Sequence, residues 1–545
     1  MQRAISRLSR ETFDVLIIGG GATGCFTARD AALRGLSVAL IEMRDFAAAT
    51  SAHNSKLAHG GLRYLRNLEI ALVRESLRER LGLMRMAPHL VRPLPFLLPL
   101  YHAGALERAK LEAGLTLYDL LSWDRNRLED PGQHLPRHRW INPKEALARE
   151  PVLAAEGFEG AFEYYDAQMY SPERIALENL VDADAHGAAI ANYVAAEKLL
   201  ARGGRVEGAS VRDNMTGARF DIRAKTVLVA AGPWADLFLE QATGGSAAHR
   251  LIRSKGIHLM VPQIAKAALT IEAGSGHLFA LPWRGHTLLA TTDTEFSGDP
   301  ATLGVTQGDI DGFLATFRKY LPAAALPREI VEFFYAGLRP LVSDGAPKNP
   351  ATNPGGSYNV SRRAELVDHG REGLMDGLFS ALGGKYTTSR ALAEKATGAL
   401  VKKLDRKARA CATAKIPLPG GRFDGFDEML RGYQKTWPGL SAMRHLAHML
   451  GARLPHALKG ARLADLVPMN QSGDTPAQIA FALAEEMALT LEDVVMRRTG
   501  LGQFGRPARE VLEKVAHQMA ARLGWDENKK AAEMAGLERL YQVQA

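Results

Sequence analysis

Cysteine is nearly absent from this chain. Cys25 and Cys411 are the two in 545 residues, too few for a disulfide framework or a cysteine-rich metal site, and such usage fits a reducing compartment. The 16 histidines are scattered without the spacing of metal ligands, so no metal is expected. Long apolar runs are missing too: no stretch approaches the roughly 20 residues that a membrane-spanning helix needs. Arg3, Arg7 and Arg10 precede an apolar run, Phe13 to Ile18, that is too short for a signal peptide and leads into a glycine turn. The chain is therefore expected to be soluble or attached to one membrane face. A strong charge bias is lacking as well. The 68 Lys+Arg against 60 Asp+Glu leave +8, which mildly favours anionic partners. Basic residues do not cluster with aromatics as a base-stacking platform needs, so nucleic acid is not expected. Neither internal repeats nor low-complexity tracts occur. Hydrophobic residues at 46% and charged ones at 23% describe a folded chain, long enough for about two to four domains.

What the chain does have is a glycine-rich start. Phe13-Asp14-Val15-Leu16-Ile17-Ile18 is an apolar run read as a buried strand. Gly19-Gly20-Gly21-Ala22-Thr23-Gly24 fits G-x-G-x-x-G, a helical pattern runs on to Arg34, and Gly35 stops it. A second strand, Ser37 to Ile41, ends on Glu42. This spacing predicts a dinucleotide site. Gly19 makes the tight turn, Gly21 lets backbone approach a pyrophosphate, and Gly24 with Ala28 lets the helix lie close on the sheet. The helix N-terminus offers N–H groups to phosphate, and Glu42 can accept both ribose hydroxyls. Arg44 leaves an NADP reading open. Against it, there is one such unit, and KTVLVAAGPWAD (225–236) carries a strand into Ala230-Ala231-Gly232. Such a small-residue turn lets backbone pass close to a flat ligand and is common in FAD folds of the glutathione-reductase type.

Thr50 to Leu65 reads TSAHNSKLAHGGLRYL. At this point the chain resembles the FAD-dependent glycerol-3-phosphate dehydrogenase family, the respiratory, aerobic-type enzymes. The match recurs in the family order at IGGGATGCFTARDAALRG (18–35), VLVAAGPWAD (227–236), KGIHLMVP (255–262), LPWRGHTLLATTDTEFSGDP (281–300), AGLRPLVSDG (336–345), GGKYTTSRALAE (383–394) and MRRTG (496–500). There are departures. Phe26 stands where the family has glycine in the first helix, Asn54 replaces a serine, and Ser389 replaces the tyrosine after GGK-x-T-T. Tyr170-Ser171-Pro172-Glu173-Arg174 replaces Asp-Asp-x-Arg, keeping Arg174. These bear on substrate identity more than on flavin binding.

The resemblance implies an α/β fold. Residues 1–80, 160–245 and 335–405 would form a discontinuous FAD-binding, Rossmann-like domain of the glutathione-reductase type. Residues 81–159 and 246–334 would form an α+β substrate domain with an antiparallel sheet, and 410–545 a helical C-terminal domain. Helical patterning from Phe426, as in Pro476 to Met487 and Pro507 to Leu523, supports the last of these independently, and Pro417-Leu418-Pro419-Gly420-Gly421 reads as a linker. The implied reaction is oxidation of sn-glycerol 3-phosphate to dihydroxyacetone phosphate by hydride transfer to flavin N5, with electrons passed to a quinone. The implied location is peripheral attachment to the cytoplasmic face of the inner membrane. Met84 to Trp123 offers a local anchor: an apolar run, Leu94 to Leu100, with Arg85, Arg92, Arg108, Lys110, Tyr118 and Trp123. Prolines 93, 95 and 99 would keep insertion shallow. The other reading is a buried segment of the substrate domain. The oligomeric state is left open, a dimer being one option.

Three basic residues sit in glycine- or proline-braced segments that match family positions near the substrate: Arg63, Arg339 and Lys385. Fixed cations of this kind suit phosphate. Tyr64 is a further candidate for substrate contact. Arg339, Lys385 and His258 are the candidates for catalysis. For His258, a base taking the hydroxyl proton and a core histidine bonded to backbone are both open. The flavin contacts implied by the matching blocks are Thr50, Ser51, Ser55, Lys56, His59, Gly60, Gly61, Ala231, Gly232, Gly384, Thr387 and Thr388, beside Gly19, Gly21, Gly24 and Glu42. Gly383 to Ser389 opens a helical run, Arg390 to Leu404, whose first N–H groups would face the N1–C2=O edge of the flavin. Three other functions remain open: a glycerol-3-phosphate oxidase using oxygen, a related FAD oxidoreductase of another 2-hydroxy or amino acid, and a flavin-bearing binding protein without turnover.

Overall fold

The structure, a computed structural model, describes residues 1–245, 251–273, 276–342 and 362–544. Two sheets organise it. The first centres on β1 (Thr12–Ile18), with β2 (Val38–Ile41) on one side and β10 (Arg219–Val229) on the other. β7 (Ala189–Ala191) and β18 (Leu378–Gly383) lie outside them, and all five run parallel. β17 (Ala364–Asp368) pairs antiparallel with β18, and a hairpin of β8 (Val194–Arg202) and β9 (Arg205–Asp213) pairs with β10. A parallel central strand is covered on both faces, which is why Val15, Leu16 and Ile17 form an unbroken buried run rather than alternating. The helices Ala22–Leu33, Pro172–Ala185 and Ser389–Lys403 pack together beside it.

The second sheet is mostly antiparallel. Its row runs β11 (Leu251–Pro262), β14 (His286–Ala290), β13 (Gly276–Trp283), β12 (Ala268–Ala273), β4 (Val91–Tyr101) and β6 (Phe158–Met169). β3 (Leu57–Ala58), β5 (Arg139–Ile141), β15 (Thr294–Glu295) and β16 (Phe333–Val342) pair along it. β3 and most of β6 and β16 fall inside segments assigned above to the flavin domain. They pair into the second sheet, and the loop before β3 is tied to β16, the Thr50 hydroxyl donating to the Leu338 carbonyl at 2.7 Å. The C-terminal region is helical, with Phe426–Thr436, Met443–Leu450, Pro476–Glu485, Arg509–Leu523 and Glu527–Glu538.

One expectation fails here. The stretch Leu94 to Leu100 is no membrane anchor: it is the middle of β4, paired with β6 along its length, and Phe96, Leu97 and Leu98 are buried. Prolines 93, 95 and 99 share one parity, so their missing N–H groups fall on the edge away from β6 and the ladder survives. Pro417 to Gly421, read as a linker, is itself packed. Leu418, Gly420 and Gly421 are buried, with Leu418 N–H donating to Met86 O at 2.8 Å and Gly420 N–H to Glu178 at 2.9 Å. Among the described residues no helix is long and apolar enough to cross a membrane.

Candidate functional site

The glycine turn after β1 sits where the sequence places it. Gly19 has φ +115°, and a Cβ there would meet the Ala230 carbonyl, so the ends of β1 and β10 come together only without a side chain. A Cβ on Gly24 would collide with the Gly19 carbonyl, which brings the helix down onto the turn. Gly20 N–H donates to Glu42 at 2.7 Å and Arg44 N–H to its other oxygen at 2.9 Å. Burial raises the Glu42 pKa, and those two N–H bonds oppose the rise. Ser51 Oγ accepts from Ala22 N–H at 2.8 Å, tying the TSAHNSKL loop to the start of the helix.

From this turn a cavity of about 1780 Å³ runs between the two sheets. Gly19, Gly21, Glu42, Thr50 and Ser51 line its first part, with Ala231 and Gly232 from the end of β10, and Ser55 lines the cavity as well. His59, Gly61, Gly384 and Thr387 line its middle. Gly383 and Gly384, with φ +69° and +87°, bring bare backbone to that wall. His59 N–H donates to the Thr387 hydroxyl at 3.2 Å, which locks the two loops together. This shape suits FAD: a glycine turn before a helix start, an acid at the ribose distance, and small-residue turns for a flat ring.

Not every expected contact reaches the cavity. Gly24 lies beneath the turn as a packing residue. Gly60 is pressed against Leu77 and Tyr118, and its N–H donates to Asp166 at 3.1 Å. Thr388 folds its hydroxyl back onto the Lys385 carbonyl at 3.3 Å. Lys56 turns away entirely: its Nζ is buried in a pair with Glu173 at 2.7 Å and also donates to the Ala52 carbonyl at 2.6 Å. An ammonium in low dielectric needs such a partner, and Glu173 supplies it from the far side of the loop.

Beyond the middle of the cavity the wall turns basic. Arg63, Tyr64, Arg339 and Lys385 all line it. Lys385 Nζ is buried over the Tyr64 ring at 4.8 Å and has no hydrogen-bond partner among the described residues. The Arg63 guanidinium stacks on the same ring at 4.9 Å. Burial alone would push the Tyr64 phenol up, yet Lys385 and Arg63 beside it bring the net shift down. Arg339 is held by the Ser254 and Thr291 hydroxyls at 3.0 and 2.9 Å and by the Thr292 carbonyl at 3.1 Å. Burial, with the neighbouring Arg362, lowers its pKa to about 10. Arg362 is a residue that sequence reasoning missed. It lines the same wall, is buried, and pairs with Asp293 at 2.6 Å.

His258, on β11, does not line the cavity. It is buried, stacked on Tyr335 at 4.7 Å, and its Nε2 lies 3.0 Å from Ser55 Oγ. Burial, then Arg339 and Lys56, holds its pKa well below the ordinary histidine value, so the ring is neutral at neutral pH. It touches the cavity through Ser55.

The departures from the family pattern sort by place. Phe26 is buried edge-on to Tyr386 at 6.4 Å, filling space outside the cavity. Asn54 accepts Lys56 N–H at 2.8 Å and donates to Ser51 O at 2.7 Å, holding the loop. Glu173 and Arg174 face the C-terminal region, Arg174 binding Glu486 with two bonds of 2.7 and 2.5 Å. Of these departures Asn54 and Ser389 reach the cavity wall, the Ser389 hydroxyl lying 3.2 Å from the Lys385 carbonyl.

Part of the cavity is apolar, with Phe96, Leu98, Leu100, Leu111 and Phe279, and the helix Gly104–Leu121 lines it too. That helix and the turn after it leave Leu106, Leu120 and Trp123 exposed.

Comparison with known proteins agrees with this geometry. Residues 14–389 match the family described as FAD dependent oxidoreductase, and residues 411–530 match the C-terminal domain of alpha-glycerophosphate oxidase. The glycerol-3-phosphate dehydrogenase of Synechocystis sp. is 33% identical over 530 residues, covering 92% of this chain and 90% of that one. The alpha-glycerophosphate oxidase of Streptococcus pyogenes serotype M1 is 30% identical over 604 residues, covering 98% of this chain and 96% of that one. The solved structure of the glycerol-3-phosphate dehydrogenase from Bacillus halodurans complexed with FAD matches with a TM-score of 0.76 at 28% identity, over 99% of this chain and 96% of that one. With its glycine turn, its two-sheet cavity and its helical C-terminal region, this chain belongs to the FAD-dependent oxidoreductases, among their glycerol-3-phosphate dehydrogenase and oxidase members.

Proposed function

We propose that the protein oxidises sn-glycerol 3-phosphate to dihydroxyacetone phosphate and passes the electrons to a quinone at a membrane surface. One observation carries the substrate: Arg63, Arg339, Arg362 and Lys385 reach one cavity wall, across from the cofactor end. A three-carbon phosphate ester is a small dianion, and four fixed cations suit it better than they suit an amino acid. Lys385 Nζ is a buried cation that a phosphate oxygen would satisfy.

The residues that would hold FAD are Gly21 and Ser51 at the pyrophosphate, Glu42 at the ribose, and Ala231, Gly232 and Gly384 along the ring. FAD supplies, when bound, a two-electron acceptor for the hydrogen on the substrate's C2. The rest falls to this chain. Arg339, Arg362, Arg63 and Lys385 bind and orient the phosphate. The hydroxyl proton goes to Ser55 Oγ, whose own proton passes to His258 Nε2. The C2–H bond leaves as hydride, the O–H bond as proton, and a ketone remains. A neutral imidazole is the acceptor this needs, and burial of His258 keeps it neutral.

A second reading, with oxygen as acceptor, is favoured by the match of residues 411–530 to the alpha-glycerophosphate oxidase domain. Both are tested in one sequence of experiments. Anaerobic mixing with a panel of phosphorylated polyols, followed by flavin absorbance, is expected to show bleaching by sn-glycerol 3-phosphate. No bleaching by any of them overturns the substrate. Admitting air then separates the acceptors: stoichiometric peroxide without other acceptor assigns oxygen, whereas turnover that depends on an added quinone assigns quinone.

A further inference from the structure

The MRRTG block at 496–500 has no place on the cavity wall, yet its arginines reach toward it. Arg497 and Arg498 end a six-residue π-helix, Asp493–Arg498, a form frequent at functional sites. Three of their N–H groups converge on Asp45. Arg497 Nε donates to Oδ2 at 2.6 Å, Arg498 Nη1 to Oδ2 at 2.7 Å, and Arg498 Nη2 to Oδ1 at 2.7 Å. Asn192 Nδ2 adds a fourth at 3.1 Å. The carboxylate and both guanidiniums are buried. Charge-assisted bonds of this geometry are the strong ones, and removing one partner strands a buried charge.

Asp45 lies in the segment that follows Glu42 around the cofactor end of the cavity. Met43, Arg44, Ala47 and Ala48, its neighbours on either side, are on the wall. Ala47, at φ +59°, donates its N–H to the Gly20 carbonyl at 2.9 Å. Gly20 in turn donates to Glu42 at 2.7 Å. Two short links therefore join the C-terminal region to the glycine turn, the arginine pair to Asp45 and Ala47 to Gly20, and a third runs on from Gly20 to Glu42.

We propose that Arg497 and Arg498 are positioning residues for the FAD site, fixing the 42–48 segment through Asp45 so that FAD affinity depends on the docked C-terminal domain. This rests on the cofactor and on neither the substrate nor the acceptor proposed above. Coupling of this kind is reciprocal, so bound FAD must also tighten the docking.

The test uses the full chain stripped of flavin. Asp45→Asn and Arg498→Lys each alter the clasp, the second while keeping its charge, and Arg174→Lys is the comparator. Arg174 is equally buried and also ties the first domain to the C-terminal region, but its side-chain bonds go to Glu486 and Met449. FAD titration by flavin fluorescence, and Tm with and without FAD, are the readouts. Asp45→Asn and Arg498→Lys are each expected to weaken FAD binding by about tenfold or more and to shrink the Tm gain that FAD brings. Their combination is expected to bind FAD no worse than the weaker single variant, since both break the Asp45 contact and the other bonds of Arg498, at 3.1 and 2.9 Å, go to the Glu486 backbone carbonyl. Arg174→Lys is expected to lower Tm equally with and without FAD and to leave the affinity alone. The proposal is overturned if both clasp variants bind FAD as the parent does, or if Arg174→Lys weakens binding to the same extent. Should Asp45→Asn not fold, the charge-conserving Arg498→Lys decides.

Discussion

Ser55 stands between His258 and the cavity: its Oγ is 3.0 Å from His258 Nε2, and it, not the histidine, forms part of the wall. A base in that position acts through the serine. His258→Ala is expected to lower kcat by about 10²–10⁴, the usual loss of a general base, and to change KM little. Ser55→Ala is expected to lower kcat in the same direction. Because burial holds the His258 pKa well below its ordinary value, the acid limb of the parent's kcat against pH is expected well below 6.5 and absent in His258→Ala. An acid limb unchanged in the variant means that another group takes the proton.

Arg362 and Lys385 test the phosphate assignment. Replacing either with Met removes a charge-assisted contact, worth about 1.5–3 kcal/mol, and is expected to lower kcat/KM by about ten- to a hundredfold. Flavin content is expected to hold in Arg362→Met, since its partner is Asp293 on the substrate side. In Lys385→Met some flavin loss is expected, because Gly384 and Thr387 beside it line the cofactor's part of the cavity. Kinetics near those of the parent in both variants would remove the pair from the substrate site.

How much of this was legible in the sequence depends on distance along the chain. The β1–turn–β2–Glu42 unit is local: glycine geometry and an apolar run decide it within thirty residues, and it stands as read. Arg362 was missed because no glycine or proline braces it. Its role shows only through Asp293, 69 residues earlier, and through burial. Lys56 was misplaced for the same reason, since the Glu173 that captures it is 117 residues away. The prolines of β4 read as breaks because sequence cannot show on which edge of a strand a missing N–H falls. His258 was undecided between base and core residue, and it is buried as a core residue while bonded to a cavity residue.

Acid is expected to destabilise the fold from near neutrality downward. Burial holds His53 and His277 to about 4 and His448 to about 3. Below the ordinary value of 6.5 the unfolded chain protonates these rings while the folded one does not. The unfolded state then binds more protons, so stability falls as pH drops. Each histidine contributes a slope of about 1.4 kcal/mol per pH unit. The window runs from 6.5 to about 4 for all three and on to about 3 for His448 alone. Tm measured with saturating FAD is expected to fall monotonically from pH 6.5 to 4.5. A flat or rising curve over that window contradicts the neutral state of these half-buried rings.

We propose that any membrane contact lies on the helix Gly104–Leu121 beside the cavity rather than on β4. That helix lines part of the cavity, and on it or just after it Leu106, Leu120 and Trp123 are 70%, 65% and 61% exposed. Arg127 lies 4.3 Å over the Trp123 ring, and Arg108 and Lys110 are exposed on the helix. Apolar side chains for the acyl boundary, an indole for the interface and cations for acidic headgroups are the parts of a surface anchor. Sedimentation with liposomes is expected to rise with anionic lipid and to fall without vanishing in high salt, since apolar contact is not screened. Leu106→Ser, Leu120→Ser and Trp123→Ser together are expected to abolish pelleting with flavin content and Tm nearly unchanged, because exposed positions contribute little to folding. The same change at Phe96, Leu97 and Leu98 would instead open the core of the second sheet, where losing a buried side chain such as Phe96 costs about 3–5 kcal/mol. If the surface variant still pellets, the contact lies elsewhere on the molecule. If the parent stays in solution with every lipid, the quinone must be reached without a membrane surface, and the oxygen-linked reading gains.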